Sequence, residues 1–204
     1  MPQKPFPEDI AWSLKPSGPF LSFDVGPLQA RIYQNTGHIE IAGPDLAGHA
    51  KAEVVSFAPP AIQTPQASLT LGAVVENKPL ADGLELRQKL GDAVVTARLR
   101  FPQDGVMRYE VVDWGGIPVV ATAIAAASDG GEHFYGFGEK FDAFDQAGKR
   151  VRTLSFDEPG VKKDRSYKVS PWFISTRGYG VHLDSSAESI FDMRASAAKI
   201  SSAS

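Results

Sequence analysis

Cysteine is absent from this chain, which excludes disulfides and thiolate metal sites outright. The absence fits a reducing cytoplasm, and the opening Met1-Pro2-Gln3-Lys4-Pro5-Phe6-Pro7 lacks the apolar stretch that a secretion signal requires. No apolar run is long enough to cross a bilayer. An excess of one charge is missing too: 21 Lys and Arg stand against 24 Asp and Glu, for a net charge of −3. That balance gives no general attraction to nucleic acid or anionic lipid. Long amphipathic helical patterns, internal repeats and low-complexity linkers are also lacking. These absences predict a soluble, cytoplasmic protein with no nucleic-acid partner, no membrane partner and no cofactor.

What is present is the punctuation of a β-protein. The 204 residues are 43% hydrophobic and 22% charged, enough for one large β-domain or two small ones. Glycine (19) and proline (15) recur between short apolar segments. Residues 28–33 and 38–42 flank Gln34-Asn35-Thr36-Gly37, a turn in which Asn and Gly readily take positive φ, so a hairpin is predicted. Residues 52–57 read as a strand stopped by Pro59-Pro60. Residues 84–90 alternate apolar and polar side chains and meet 94–99 across Gly91-Asp92, a second hairpin. Residues 106–114 carry strand-forming Val, Tyr and Trp, while the alanine-rich 121–127 suits a short helix or a buried strand equally. A late hairpin is predicted for 172–175 and 179–183 around Thr176-Arg177-Gly178, followed by a strand over 188–193. Beyond it the tail, Arg194 to Ser204, thins into small polar residues. Closely spaced strands without long helices favour an antiparallel sandwich.

Several clusters invite chemistry. Gly136-Phe137-Gly138 resembles the start of a dinucleotide fingerprint, but Phe141 occupies the place of the third glycine and no βαβ unit precedes it. Two glycines that let a strand turn and pass close to a neighbour are the better reading. Glu139, Asp142, Asp145 and Asp157 supply carboxylates of the kind glycosidases pair across a scissile bond. Their sequence alone favours a Glu139 held by a nearby Lys or Arg and solvated loop aspartates. The four histidines, His38, His49, His133 and His182, follow no metal-ligand spacing. Lys149, Arg150, Arg152, Lys162, Lys163, Arg165 and Lys168 interleave with Asp157, Glu158 and Asp164, the pattern of an ion-paired loop and not of a nucleic-acid face.

Taken in order, the motifs from Phe134 onward resemble the N-terminal β-domain of glycoside hydrolase family 31, the α-glucosidases and α-xylosidases. They are Phe134-Tyr135-Gly136-Phe137-Gly138-Glu139-Lys140-Phe141, Lys149-Arg150-Val151-Arg152, Asp157, Arg165-Ser166-Tyr167-Lys168, Pro171-Trp172-Phe173-Ile174-Ser175 and Arg177-Gly178-Tyr179-Gly180-Val181. The resemblance is dense over 133–193, and 106–111 is similar to the strand before the family's alanine-rich link. It implies an all-β, galactose-mutarotase-like antiparallel β-sandwich over residues 1–204, incomplete at its C-terminus, with the catalytic (β/α)8 barrel absent.

The resemblance places the catalytic carboxylates on that barrel, so it assigns no catalytic residue here. It implies that Asp157, in Leu154-Ser155-Phe156-Asp157, leans over the barrel mouth and touches the sugar, although the usual Trp and Asn before the aspartate are replaced. The implied partners are the barrel and, through the intact enzyme, an α-linked oligosaccharide ending in glucose or xylose. Without the barrel, Phe137, Phe141, Phe144 and Phe156 are expected to be partly exposed. Two other readings stand beside this one: a free-standing carbohydrate-binding module, and a mutarotase-like epimerase using His133 or His182 with Glu139.

Overall fold

A computed structural model describes residues 12–43, 53–128, 130–155, 166–194 and 197–203, and contains no helix among them. The alternation in Phe20-Leu21-Ser22-Phe23-Asp24-Val25 shows how the sheets arise, since Leu21, Phe23 and Val25 point inward and the residues between point out. The first strands form an antiparallel meander: β1 (Trp12–Ser17), β2 (Phe20–Val25), β3 (Leu28–Tyr33), β4 (Ile39–Gly43) and β5 (Glu53–Phe57). A short hairpin follows, β6 (Ala61–Gln63) and β7 (Ser68–Thr70). The second meander is β8 (Val74–Leu80), β9 (Gly83–Leu90), β10 (Ala93–Gln103) and β11 (Val106–Asp113). The remaining strands are β12 (Ala121–Ala127), β13 (Phe134–Gly138), β14 (Arg150–Thr153), β15 (Val169–Ser175), β16 (Gly180–His182), β17 (Ser189–Asp192) and β18 (Ala197–Ala203).

They form one large sheet and two smaller ones. The large sheet runs β1-β2-β3-β4-β5-β12-β18-β17-β14, with β6 and β7 attached at β12. The second meander makes a four-stranded sheet, and β13-β15-β16 a three-stranded one. Leu84, Leu86, Leu99 and Phe101 of the four-stranded sheet pack on Phe23, Val25 and Ile32 of the large sheet. At the other end, Phe134, Phe137 and Phe173 of the three-stranded sheet pack on Val151 and Phe191. A smaller cluster around Ile62, Leu71, Leu90 and Val95 closes one flank. The architecture is therefore the antiparallel all-β sandwich that the strand pattern predicts.

Three expectations need revision or completion. The alanine-rich 121–127 is a strand; it pairs with β5, β6 and β18, and its small side chains suit a position crowded by neighbours. The tail does not trail away, because β18 lies inside the large sheet between β12 and β17. Its low hydrophobicity hid a strand whose backbone is paired on both sides. Phe137 is fully buried, not partly exposed, and only Phe141 and Phe144 of the expected set are seen on the surface. Phe156 lies outside the described residues.

Phe173 is the hub of the second core. Its ring meets Phe134, Phe137, Phe191 and Tyr179 at centroid distances of 5.4, 5.7, 6.1 and 6.2 Å, a geometry in which aromatic pairs add to simple area burial. Phe173→Ala should lower unfolding free energy by about 3–5 kcal/mol. Phe144→Ala, at an 84% exposed position, should change it by no more than about 0.5 kcal/mol. Urea denaturation of the two variants checks both values.

Candidate functional site

The glycine pair at 136 and 138 sets the geometry of the three-stranded sheet. Gly136 (φ +136°) lies so close to β15 that a Cβ there would stand 2.6 Å from the Trp172 carbonyl oxygen. At Gly138 (φ +78°) a Cβ would collide with the Lys168 carbonyl. Between them the ladder shifts, from Gly136 opposite Phe173 to Gly138 opposite Val169, so β13 advances by fewer residues than β15. Pro171, which has no N–H to offer a ladder, sits within this irregular stretch. Phe137 is forced into the left-handed region at φ +66°, a strained conformation for a bulky residue, at a cost of about 1–3 kcal/mol. The return is its buried ring, stacked on Phe173 and edge-on to Phe191 at 5.1 Å.

The opposite face of this sheet is open. Trp172 and Ile174 point outward from β15 while Phe173 and Ser175 point in. Tyr135 lies beside Phe144, with ring centroids 4.9 Å apart. With Lys140 and Ala143 these side chains line a shallow depression of about 310 Å³. Phe141 and Tyr167 add further exposed aromatic surface nearby in the sequence.

The segment linking β13 to β14 is held by its polar groups. Asp145 accepts hydrogen bonds from the backbone N–H of Ala147 (2.9 Å) and Phe134 (3.3 Å), and from His133 Nδ1 (2.6 Å). Asp142 pairs with Lys149 at 2.7 Å and accepts from the backbone of Ala143. Burial pushes both carboxyls up, but hydrogen bonds outweigh it and hold each below the ordinary 3.8. For Asp142 these come from Lys149, Gln146 and Ala143; for Asp145 from Ala147, His133 and Phe134. The two aspartates are thus anchors, more tied down than solvated loop residues. Glu139 is held by Lys168 Nζ at 3.2 Å, as the sequence predicts.

Behind the sheet, the buried Glu132 accepts from Ser175 Oγ and lies 3.9 Å from Arg177 Nη1. Its neighbour Tyr179 has its hydroxyl pushed well up by burial and by the adjacent carboxylate. Sequence reasoning passed over Glu132 entirely, since one acidic residue before an aromatic run carries no local signal of burial.

The other predicted residues separate. His133 faces Asp145, while His182 lies on β16 beside a different cleft, and Glu139 joins neither. That dispersal removes the geometric basis of the epimerase reading. His38 bonds Ser56 Oγ at 2.5 Å. Arg152 pairs with Glu188, while Lys162, Lys163 and Arg165 lie outside the described residues, as does His49. Among the described residues no three His, Asp or Glu side chains are grouped to hold a metal ion. Among the described residues no helix is long and apolar enough to cross a membrane.

Asp157 also lies outside the described residues, but the ends of its segment are placed. Ser155 and Ser166 form a bridge, and Ser155 Oγ donates to the Tyr167 carbonyl at 3.3 Å. The next carbonyl, that of Lys168, accepts the Glu139 N–H at 2.8 Å. Ser155 and Ser166, which flank residues 156–165, are thus tied through Tyr167 and Lys168 to the end of β13.

The antiparallel all-β sandwich is that of a galactose mutarotase-like domain. The chain belongs to the family described as the glycosyl hydrolase 31 N-terminal galactose mutarotase-like domain, which it matches over residues 2–192. It is 28% identical over 127 residues to the α-xylosidase XylQ of Lactiplantibacillus pentosus, a match covering 62% of this chain and 16% of that protein. It is 30% identical over 118 residues to a sulfoquinovosidase of Agrobacterium fabrum, covering 48% of this chain and 17% of the relative. In fold it is similar to a family 31 sulfoquinovosidase from E. rectale, with a TM-score of 0.54 at 18% identity over 93% of this chain and 30% of that one. The matched part is thus about a sixth of the length of these curated relatives.

The anchored aspartates carry a pH dependence. A carboxyl whose pKa is depressed on folding stabilises above its unfolded value and loses that contribution as pH falls through the folded one. The 141–149 segment should therefore hold from neutral pH down to about 4 and loosen progressively below it. Amide exchange at Ala143, Ala147 and Phe134 should accelerate there relative to β2, and Asp145→Asn should blunt the change at Ala147 and Phe134.

Proposed function

We propose that this chain is the non-catalytic N-terminal domain of a retaining α-glycosidase acting on terminal α-glucosyl or α-xylosyl residues. In this reading a catalytic (β/α)8 barrel lies elsewhere in the same polypeptide and packs against the open face of the three-stranded sheet. The observation that carries the reading is the exposed aromatic face of Tyr135, Phe144, Trp172 and Ile174 on the three-stranded sheet. Exposed apolar surface of this type marks an interaction site. Asp157 then reaches a sugar hydroxyl in the barrel mouth, while the barrel supplies nucleophile and acid. The reading sets the protein in the cytoplasm, which its cysteine-free sequence suits.

The same exposed rings would suit direct sugar stacking, which is what a free-standing carbohydrate-binding module needs. Titration of the chain with isomaltose and xylose oligomers separates the two. The domain reading predicts no saturable binding at millimolar sugar, whereas a binding module saturates and loses affinity on Trp172→Ala.

Purified chain should not hydrolyse aryl α-glucosides or α-xylosides. In a polypeptide that includes the barrel, Asp157→Ala should lower kcat/KM by about 1–3 kcal/mol in transition-state terms, with little change in Tm. Hydrolysis by the chain alone, abolished by Asp157→Ala, would overturn the reading, as would unchanged kinetics in the longer enzyme.

A further inference from the structure

The Glu132 side chain is fully shielded from solvent, and its two oxygens are served unequally. Oε1 accepts the Ser175 hydroxyl. Oε2 has no hydrogen-bond partner among the described residues, and neither has the equally shielded hydroxyl of Tyr179. A buried oxygen left unpaired costs about 1–3 kcal/mol, so each demands an explanation. The two groups are neighbours. After burial, the Glu132 carboxyl is the next largest influence pushing the Tyr179 hydroxyl up, so the phenol keeps its proton and stays a donor.

Anchors on both sides keep the pair from bonding directly. Ser175 fixes Oε1, and its Oγ in turn accepts the Arg177 N–H at 3.0 Å. The Tyr179 ring is held edge-on by Phe57 of β5 at 6.4 Å and Phe173 of β15 at 6.2 Å. Rotation of that ring about its own axis leaves the oxygen where it is. Arg177 Nη1 stands 3.9 Å from Oε2, also beyond a direct hydrogen bond. A donor, an acceptor and a cation thus surround one point without bonding to one another. A water molecule answers all three, accepting from the hydroxyl and the guanidinium and donating to the carboxyl. About three such bonds are what buried waters make.

We infer that Glu132 Oε2, Tyr179 Oη and Arg177 Nη1 hold one buried structural water. It joins the residue ahead of β13 to the turn between β15 and β16. The β13–β15 ladder begins at this point, with Phe134 opposite Ser175, so the water closes one end of the sheet that carries the aromatic face. The inference rests on packing within the chain and is independent of the glycosidase reading.

Oxygen-17 magnetic relaxation dispersion, which counts waters held longer than the protein takes to tumble, tests the site in the 204-residue chain. Tyr179→Phe removes one partner and should lower the dispersion by about one water, while amide exchange in β2 and β3 stays unchanged. Glu132→Gln, which still offers an acceptor, should keep the water. An unchanged count in a folded Tyr179→Phe variant would overturn the site. Replacing sodium chloride by choline chloride should leave the count as it is; a loss there would assign the site to a cation and overturn the water. A crystal structure of the unaltered chain provides a measurement that needs no variant. It should show a water oxygen within hydrogen-bond distance of both Oε2 and Oη. Direct contact between those two oxygens, or a gap with nothing bridging it, would contradict the inference.

Discussion

Phe137 reaches the core because the residues on either side of it carry no Cβ. At Gly136 and Gly138 the backbone of β13 runs so close to β15 that side chains there would strike carbonyl oxygens. The contact shifts the ladder and holds Phe137 at positive φ, which turns its ring inward onto Phe173 and Phe191. The rest of this half of the molecule follows from that constraint. With Phe134, Phe137 and Phe173 committed to the interior, Tyr135, Trp172 and Ile174 are left on the outside. The shifted ladder also brings the Lys168 carbonyl to the Glu139 N–H, so the base of the 156–165 segment is tied to the end of the same strand. A local backbone requirement thus separates a core face from a presented face.

Much of this was legible in the sequence because its signals are local. The 28–33/38–42, 84–90/94–99 and 172–175/179–183 hairpins appear where turn residues separate apolar runs. Elsewhere the signal was equally local but went unused: in β2, Leu21, Phe23 and Val25 alternate cleanly. β8 and β14 are different, since Val-Val-Glu-Asn-Lys-Pro-Leu has a polar centre without alternation and Arg-Val-Arg-Thr is mostly polar, and both are strands through their neighbours' pairing. The alanine-rich β12 and the serine- and alanine-rich β18 tell the same story, for neither has an apolar period and each is defined by the other's register. Tertiary context decided those strands, as β-propensity commonly yields to packing.

The site divides along the same line. The glycine-aromatic motif announced a close backbone approach, and Glu139 found its lysine as expected. The resemblance implies a Phe137 left partly exposed without the barrel, whereas the shifted ladder turns its ring into the core. The pairing of His133 with Asp145, and of the buried Glu132 with Ser175, join residues separated by 12 and 43 positions in the chain. No spacing rule reaches such contacts.

The account depends most on the division of phenylalanines between core and surface. NMR of the ring-fluorinated protein with a soluble paramagnetic agent reads that division ring by ring. The resonances of Phe137, Phe173 and Phe191 should stay sharp while those of Phe141 and Phe144 broaden strongly. A Phe137 resonance that broadens as much as Phe144 would place its ring in solvent and contradict the glycine-imposed inversion from which the presented face follows.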